Sequence, residues 1–279
     1  MAGILTLVPT PIGNLGDISP RAREALAGAD FIAAEDTRVT LKLLNHLQLH
    51  KPLISYYEHN KAFRGEKIVA RILAGENCAL VSDAGSPAIS DPGEQLVAQC
   101  ASAGITVTAI PGPCAAITAL SISGQLTGRF SFEGFLSTAK KSRFEHLDSL
   151  REERRTMIFY EAPHKLVNTL EDMAQVFGSD RPISLCRELT KLHEEVVRTT
   201  LGQALEQYRQ APPKGEFVLV IAGAPEKPRC LPSAADAAAR VAALIQAGLS
   251  RKDAVKQAAQ ELGLPKNAVY AAALEQQEP

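Results

Sequence analysis

The sequence predicts two α/β domains followed by a small helical tail, and three observations carry that reading. Short apolar runs rich in Val, Ile and Leu alternate with helical patterns along residues 1–225, which is the signature of strands joined by crossover helices in a largely parallel sheet. Helix starts and stops are punctuated by capping residues. Glycine- and proline-rich turns stand directly behind several of the strands. The expected boundaries are 1–118 for the first α/β domain, 119–225 for the second and 226–279 for a linker and tail.

The first domain reads as strands at Ile4–Val8, Phe31–Ala34, Leu53–Ser55, Cys78–Val81 and Thr106–Ile110, with helices near 20–28, 38–46, 60–74 and 92–103. Ser19 is an N-cap candidate with Pro20 behind it at the first helical position. Asp91, Pro92 and Glu94 read as a second such start with a capping box, and Gly104 as its stop. Pro111–Gly124 reads as a partly helical joint. The second domain reads as strands near 130–135, 156–161, 183–187, 194–200 and 216–222, with helices near 140–150, 163–175 and 201–209. Only one short helix separates its last two strands, which predicts a mixed sheet. Pro225–Pro232 is a linker by composition. In the alanine-rich stretch that follows, Ser250 and Asp253 open a helix, Gly263 breaks it and Pro265 opens another, a helix-turn-helix outline.

Composition narrows the classes. The chain has 279 residues, 46% of them hydrophobic, and a formal net charge of −1. That much apolar surface argues against disorder, and the neutral balance argues against a protein that coats nucleic acid through its whole surface. Five widely spaced cysteines without a CxxC pair speak against both a zinc site and a disulfide framework, so no metal is expected. No basic leader precedes the first apolar run, and none of the runs reaches the ~20 residues of a membrane span. A cytoplasmic protein without a membrane or DNA partner is the expectation.

Four turns carry the chemistry: Pro9–Asp17 after the first strand, Ser82–Gly93 after the fourth, Pro111–Ala115 after the fifth, and Gly215–Phe217 before the last. In open α/β sheets ligands bind beyond the carboxyl ends of the strands. Glycines there allow close backbone approach and prolines stiffen the loops, so several such turns meeting in one crevice make a nucleotide-like site. Each turn alone is as well read as a plain connection. Neither a GxxxxGK[ST] phosphate loop nor a GxGxxG behind a strand is present.

The wording of these turns and their neighbours, LVPTPIGNLGDIS, AAEDTR, SDAGSPAISDPG, PGPCAAI, FYEAPHK and CRELTKLHEE, resembles the tetrapyrrole methylase superfamily. The likeness spans residues 4–224 and is nearest to the branch that methylates the 2′-O-ribose of a cytidine in 16S ribosomal RNA. It implies two α/β domains of that type with S-adenosylmethionine (AdoMet) in the cleft between them, the small ribosomal subunit as partner, and a homodimer. Matched to the family's motifs, Pro11 falls in the first cofactor loop, Asp83, Ala84, Gly85 and Pro87 in the second, and Cys114 and Ala115 after the PG turn. Tyr160 and Gly215 fall in segments that line the pocket from the second domain. The superfamily's usual GxGPGD opening is TPIGNLGD here, which turns the expectation from a tetrapyrrole substrate towards RNA.

A ribose hydroxyl is a poor nucleophile and calls for a base or an electrostatic aid. The candidates are Glu35, Asp36 and Arg38 of AAEDTR and Arg187, Glu188, Lys191, His193, Glu194 and Glu195 of CRELTKLHEE. Glu35 and Asp36 point oppositely on an extended strand end, so one can serve the site while the other holds a helix N-terminus or pairs with Arg38. Asp36 or Glu188 is the expected group near the hydroxyl, with Arg38 and Lys191 orienting phosphate or ribose, and Asn14, Arg187 and His193 are expected to touch substrate. An ion pair is an equal reading of Asp36 and Arg38. The charges between Lys140 and Arg155 read either as a solvated helix or as phosphate contacts, and Arg251, Lys252, Lys256 and Lys266 make the tail mildly basic. Two rival readings remain at this point: a precorrin-type tetrapyrrole methyltransferase and a non-catalytic ribosome-binding module.

Overall fold

A computed structural model describes residues 1–57, 61–211, 213–226 and 232–275. The chain divides into two compact units, Met1–Ala224 and Pro225–Pro279. Cys230, most of the linker and the last residues of the tail lie outside the described residues.

The first unit contains two five-stranded sheets. The first sheet holds β1 (Ile4–Leu7), β2 (Phe31–Ala34), β3 (Leu53–Ser55), β4 (Cys78–Val81) and β5 (Thr106–Ala109). Its order is β3-β2-β4-β1-β5 and every pairing is parallel. All four residues of β2 and all four of β4 are buried, as strands covered on both faces must be. On one face, α1 (Pro20–Gly28) and α2 (Thr37–His46) bury Leu26, Leu43 and Leu44 against Ile32, Ala34 and Val81. On the other, α3 (Lys61–Leu73) and α4 (Glu94–Ser102) bury Ile68, Ile72 and Leu96 against Phe31 and Leu80. Because β1 and β4 are neighbours in mid-sheet, the turns behind them open side by side.

Helix α5 (Ala115–Ser123) follows, with Ala116, Ala119 and Leu120 packed against Ile158, Cys186 and Val220 of the second sheet. That sheet holds β6 (Phe130–Phe135), β7 (Thr156–Glu161), β8 (Pro182–Arg187), β9 (Glu195–Thr200) and β10 (Phe217–Ile221). Its order is β6-β7-β10-β8-β9, parallel at β6–β7 and antiparallel elsewhere, the mixed sheet expected. Its other face is covered by α6 (Lys140–Ser149), α7 (Leu166–Phe177) and α8 (Leu201–Gln210), which bury Leu147, Leu170, Met173 and Leu201. Arg198 donates to the carbonyls of Ile122 and Ser123 and so satisfies the end of α5.

Most helix ends match their sequence signals. Ser19 caps α1 by accepting from Ala22 N at 3.1 Å. Gly104, at φ +70°, follows the end of α4. The expected start of α4 is corrected: Asp91 is not its cap. The helix opens at Glu94 behind Gly93, because Ala88 and Ser90 take left-handed backbone at φ +68° and +64° and carry the preceding turn past Asp91 before the helix can begin.

Among its described residues the second unit holds three helices, α9 (Ala234–Gln246), α10 (Arg251–Leu262) and α11 (Lys266–Glu275). The alanines turn inwards: Ala237, Ala254, Ala258 and Ala272 share a small core with Val241, Leu244 and Val269. Ser250 caps α10 by accepting from Asp253 N, and Gly263 ends it at φ +64°. Ser233 and Asp236 form a full capping box on α9.

Candidate functional site

Three of the four turns are fastened to one another, and the fourth reaches the same cavity through Glu216 and Phe217. Thr10 and Gly85 exchange a pair of backbone hydrogen bonds, 2.9 and 3.0 Å long, which fastens the turn behind β1 to the turn behind β4. Gly85 sits at φ +86°, with Ile12 and the carbonyl of Pro113 within 3.3 and 3.6 Å of where a Cβ would lie. The Ser86 hydroxyl donates to Pro113 O at 3.0 Å, tying in the turn behind β5. Gly112 lies so close to the Pro9 ring that a Cβ would fall 2.3 Å from it. Gly13 abuts Thr190 and Lys191 in the same way, which brings the first turn to the loop behind β8.

Beyond these turns lies a cavity of about 440 Å³. The first sheet's side contributes Ile12, Glu35, Asp83, Ala84, Gly85 and Asp91, and Cys114 and Ala115 open α5 beside them. From the second sheet come Phe135, Tyr160, Glu161 and Glu216. Tyr160 accepts a hydrogen bond from Ala116 N at 3.1 Å through its hydroxyl and packs edge-on against Phe132 and Phe135. Burial pushes its phenol up to about 12, so it stays neutral. The cavity has no Lys, Arg or His in its described wall.

Three carboxylates on that wall, Glu35, Asp83 and Asp91, form no ion pair among the described residues. Glu35 accepts from Asp83 N at 3.3 Å, and Asp83 in turn accepts from Asp36 N at 3.0 Å, so the loops behind β2 and β4 are cross-linked by side chain to backbone. Burial raises Glu35 and Asp83 above the usual carboxylate range; the charges of Asp83 and Asp36 add to the effect on Glu35, and that of Asp36 to the effect on Asp83. Asp91 is pushed up to about 6, chiefly by burial and then by the charges of Glu35 and Asp83.

The expected site residues divide by place. Asp83, Ala84, Gly85, Cys114, Ala115 and Tyr160 line the cavity. Pro11 lies on a second, smaller cavity beside it, and Pro87 is buried behind the loop. Gly215, at φ +83°, makes room for Glu188, whose Cγ would be 2.4 Å from a Cβ there; its neighbour Glu216 reaches the cavity instead. Asp36 points away from the cavity, capping α2 through Arg38 N at 2.8 Å and pairing with the Arg38 guanidinium. That pairing holds its carboxyl down at about 2, so a poor proton acceptor stands where a base was expected. Arg38 is exposed.

Glu188 and Lys191 form a second knot. Glu188, at φ +51°, accepts from Lys191 Nζ at 2.8 Å and from Glu216 N at 2.9 Å, and Lys191 also reaches Glu216 Oε2 at 2.9 Å. The hydrogen bond from Lys191 holds Glu188 below its usual range. Neither residue lines the main cavity, whereas Leu189 between them does. Arg187 pairs with Glu195 at 3.1 Å, Asn14 caps its own turn by accepting from Gly16 N at 2.9 Å, and His193 stands exposed. In the 140–155 segment Lys141, Arg143, Arg151 and Arg155 are paired with Glu145, Asp172, Asp148 and Glu153, which spends most of the positive charge within the fold.

Sequence reasoning placed Glu35 among the candidates but did not choose it over Asp36; it singled out the turns that hold Ser86, Asp91 and Glu216 without naming those residues for the site, and it did not name Phe135 or Glu161. Glu35 had one legible signal: if Asp36 caps the helix, strand alternation turns Glu35 the other way.

Comparison with known proteins supplies the relatives. Residues 5–205 match the family model described as Tetrapyrrole (Corrin/Porphyrin) Methylases. Residues 232–277 match the RsmI C-terminal HTH domain. The chain is 50% identical over 273 residues to the Ribosomal RNA small subunit methyltransferase I of Synechocystis sp., covering 98% of each chain. To the protein of the same name from Escherichia coli O157:H7 it is 47% identical over 277 residues, covering 99% of this chain and 96% of that one. Among solved structures it is similar to the methyltransferase CobJ, with a TM-score of 0.61 at 19% identity over 80% of this chain and 95% of that one, a likeness of fold.

Proposed function

We propose, on the premise that the chain belongs to the tetrapyrrole methylases and within them to the ribosomal RNA small subunit methyltransferase I family, that it methylates the 2′-hydroxyl of a cytidine in 16S ribosomal RNA with AdoMet as donor. As a member of that family the chain is a methyltransferase. The observation that carries the donor is the cavity itself, where turns behind neighbouring strands converge around carboxylates without counter-ions. The fit is chemical. AdoMet carries a sulfonium and an ammonium, and Glu35, Asp83 and Asp91 offer negative charge where desolvation strengthens it. Gly85 leaves backbone rather than side chain facing the ligand, and Tyr160, Phe135 and Ile12 supply apolar walls. Bound there, AdoMet supplies an activated methyl group.

The chain's own residues then have three tasks. The fastened turns hold donor and acceptor in line, the largest contribution available to a reaction whose leaving group is already good. Asp83 stands in the wall shared by the main cavity and the smaller one, so it is the carboxylate placed to take the hydroxyl proton, and its raised affinity for protons suits that role. Glu188 and Lys191 keep the loop behind β8 closed against the first turn. A precorrin, with its many carboxylates, would meet an acidic wall without a basic residue among the described ones, which disfavours the small-molecule rival. We further propose the small ribosomal subunit as partner, a cytoplasmic location and a homodimer. No described helix is long and apolar enough to cross a membrane.

Incubation with labelled AdoMet and small subunits from a strain lacking the gene, followed by nucleoside mass spectrometry, is expected to yield a 2′-O-methylcytidine. Label in a tetrapyrrole, or in nothing despite bound AdoMet, would sink the reading.

A further inference from the structure

Beside the main cavity lies a second one of about 250 Å³, lined by Thr10, Pro11, Gly13, Leu15, Val39, Thr40, Lys42, Leu43, Ser82 and Asp83. Its polar side chains are accounted for with one exception. Thr10 donates to Ser82 O and Ser82 to Gly85 O, while Asp83 accepts from Asp36 N and Lys42 stands exposed at the surface. Thr40 is 3% exposed, yet its Oγ1 makes no hydrogen bond among the described residues. A buried hydroxyl without a partner is rare and costly in a folded protein, and in a cavity wall it marks where a ligand's polar atom belongs. The rest of the wall is apolar, and Leu15 and Val39 remain 46% and 37% exposed at its edge.

We infer that this cavity takes the pyrimidine base of the acceptor nucleotide, swung out of its RNA, with Thr40 as the hydrogen-bonding group that reads it. The inference rests on the RNA reading above. The volume suits one ring rather than a whole nucleotide. Pro11, Leu15, Val39 and Leu43 offer the flat apolar contacts that a displaced base needs in exchange for its stacking neighbours. Asp83 belongs to both walls, and the first turn runs along both, Pro11 and Gly13 on this side and Ile12 on the other. A base seated here therefore leaves its sugar at Asp83, facing the donor. Lys42 at the rim is placed for the adjoining phosphate or a base oxygen.

Thr40→Val keeps the shape and removes the hydroxyl. With labelled AdoMet and undermethylated small subunits, its kcat/KM for the subunit is expected to fall about tenfold or more, the value of one lost hydrogen bond to a buried group. The Kd for AdoMet is expected to stay at the wild-type value and the melting temperature to stay there or rise, because the hydroxyl has no partner to lose in the free protein. Thr40→Ser should restore most of the rate. Wild-type kcat/KM in Thr40→Val would overturn the inference. So would a parallel loss of AdoMet binding or of melting temperature, which would place the hydroxyl in the cofactor site or the core. Failure of the wild-type protein itself to methylate the subunit would refute the RNA reading instead.

Discussion

The two edges of the main cavity handle their carboxylates in opposite ways. On the first sheet's side, Glu35, Asp83 and Asp91 face the cavity without a cation, and burial raises all three above their ordinary range. On the second sheet's side, the wall residue Glu216 pairs with Lys191, which also holds Glu188, just behind the wall, below its ordinary range. One edge keeps its charge for a ligand and the other uses its charge to hold a loop. AAEDTR itself repeats the division in miniature, since Glu35 faces the cavity while its neighbour Asp36 caps α2 and pairs with Arg38. Glu35 and Asp36 differ in role because only Asp36 has a guanidinium and a helix N-terminus to hold it.

The comparison is broken most directly at Asp83. Asp83→Asn should lower kcat by about 100-fold, the low end of what a positioned base contributes, while the amide oxygen still accepts from Asp36 N. Single-turnover transfer to small subunits measures it, and a rate within a few-fold of wild type would place the proton acceptor elsewhere. The opposite edge is tested by Gly215→Ala. Its Cβ would strike Glu188 Cγ and its φ of +83° is unfavourable for alanine, so a loss of about 2 kcal/mol is expected in denaturant unfolding. Unchanged stability would mean that the Glu188 knot is not under steric control.

A smaller effect comes from pH. Burial pushes Asp91 up to about 6 in the fold from its ordinary 3.8, so the folded state binds a proton that the unfolded chain releases between those values. The stability this group contributes therefore falls as pH rises through that window. Affinity for a cationic donor runs the other way, because Asp91 gains its charge through the same window. Calorimetry with AdoMet should show binding several-fold weaker at about pH 5 than at about pH 7.5, and Asp91→Asn should flatten the difference. A flat wild-type profile would remove Asp91 from the site. The smallest effect is at Arg38: with an exposed side chain facing away from the cavity, Arg38→Ala should leave AdoMet binding and melting temperature at wild-type values, and a lost methyl-transfer rate would instead show that it touches RNA.

How far the sequence could be read follows from the range of each interaction. The strands of the first sheet were legible because four-residue apolar runs at fixed positions need only local pattern. Ser19 and Ser250 were legible as caps because cap and amide are three residues apart. Asp91 was misread as a cap because the left-handed turns at Ala88 and Ser90 lie in residues with no ordinary preference for them. In the site, the glycine turns announced themselves, whereas Phe135 and Glu161 enter the wall only when two sheets face each other. The pairing of Glu188 with Lys191, three residues apart, is local, but its consequence, a base neutralised by its own loop, needed the Glu216 amide from β10's entrance as well. Thr40 gave no signal, since an unpartnered hydroxyl is a property of its surroundings.

The pair of hydrogen bonds between Thr10 and Gly85 joins main chain to main chain. No side-chain replacement at position 10 removes it, save proline, which lacks the donor. The cavity's frame is thereby insulated from the identities of the residues displayed on it. Side chains in the opening turn can therefore change while the turns behind β1 and β4 stay fastened to each other.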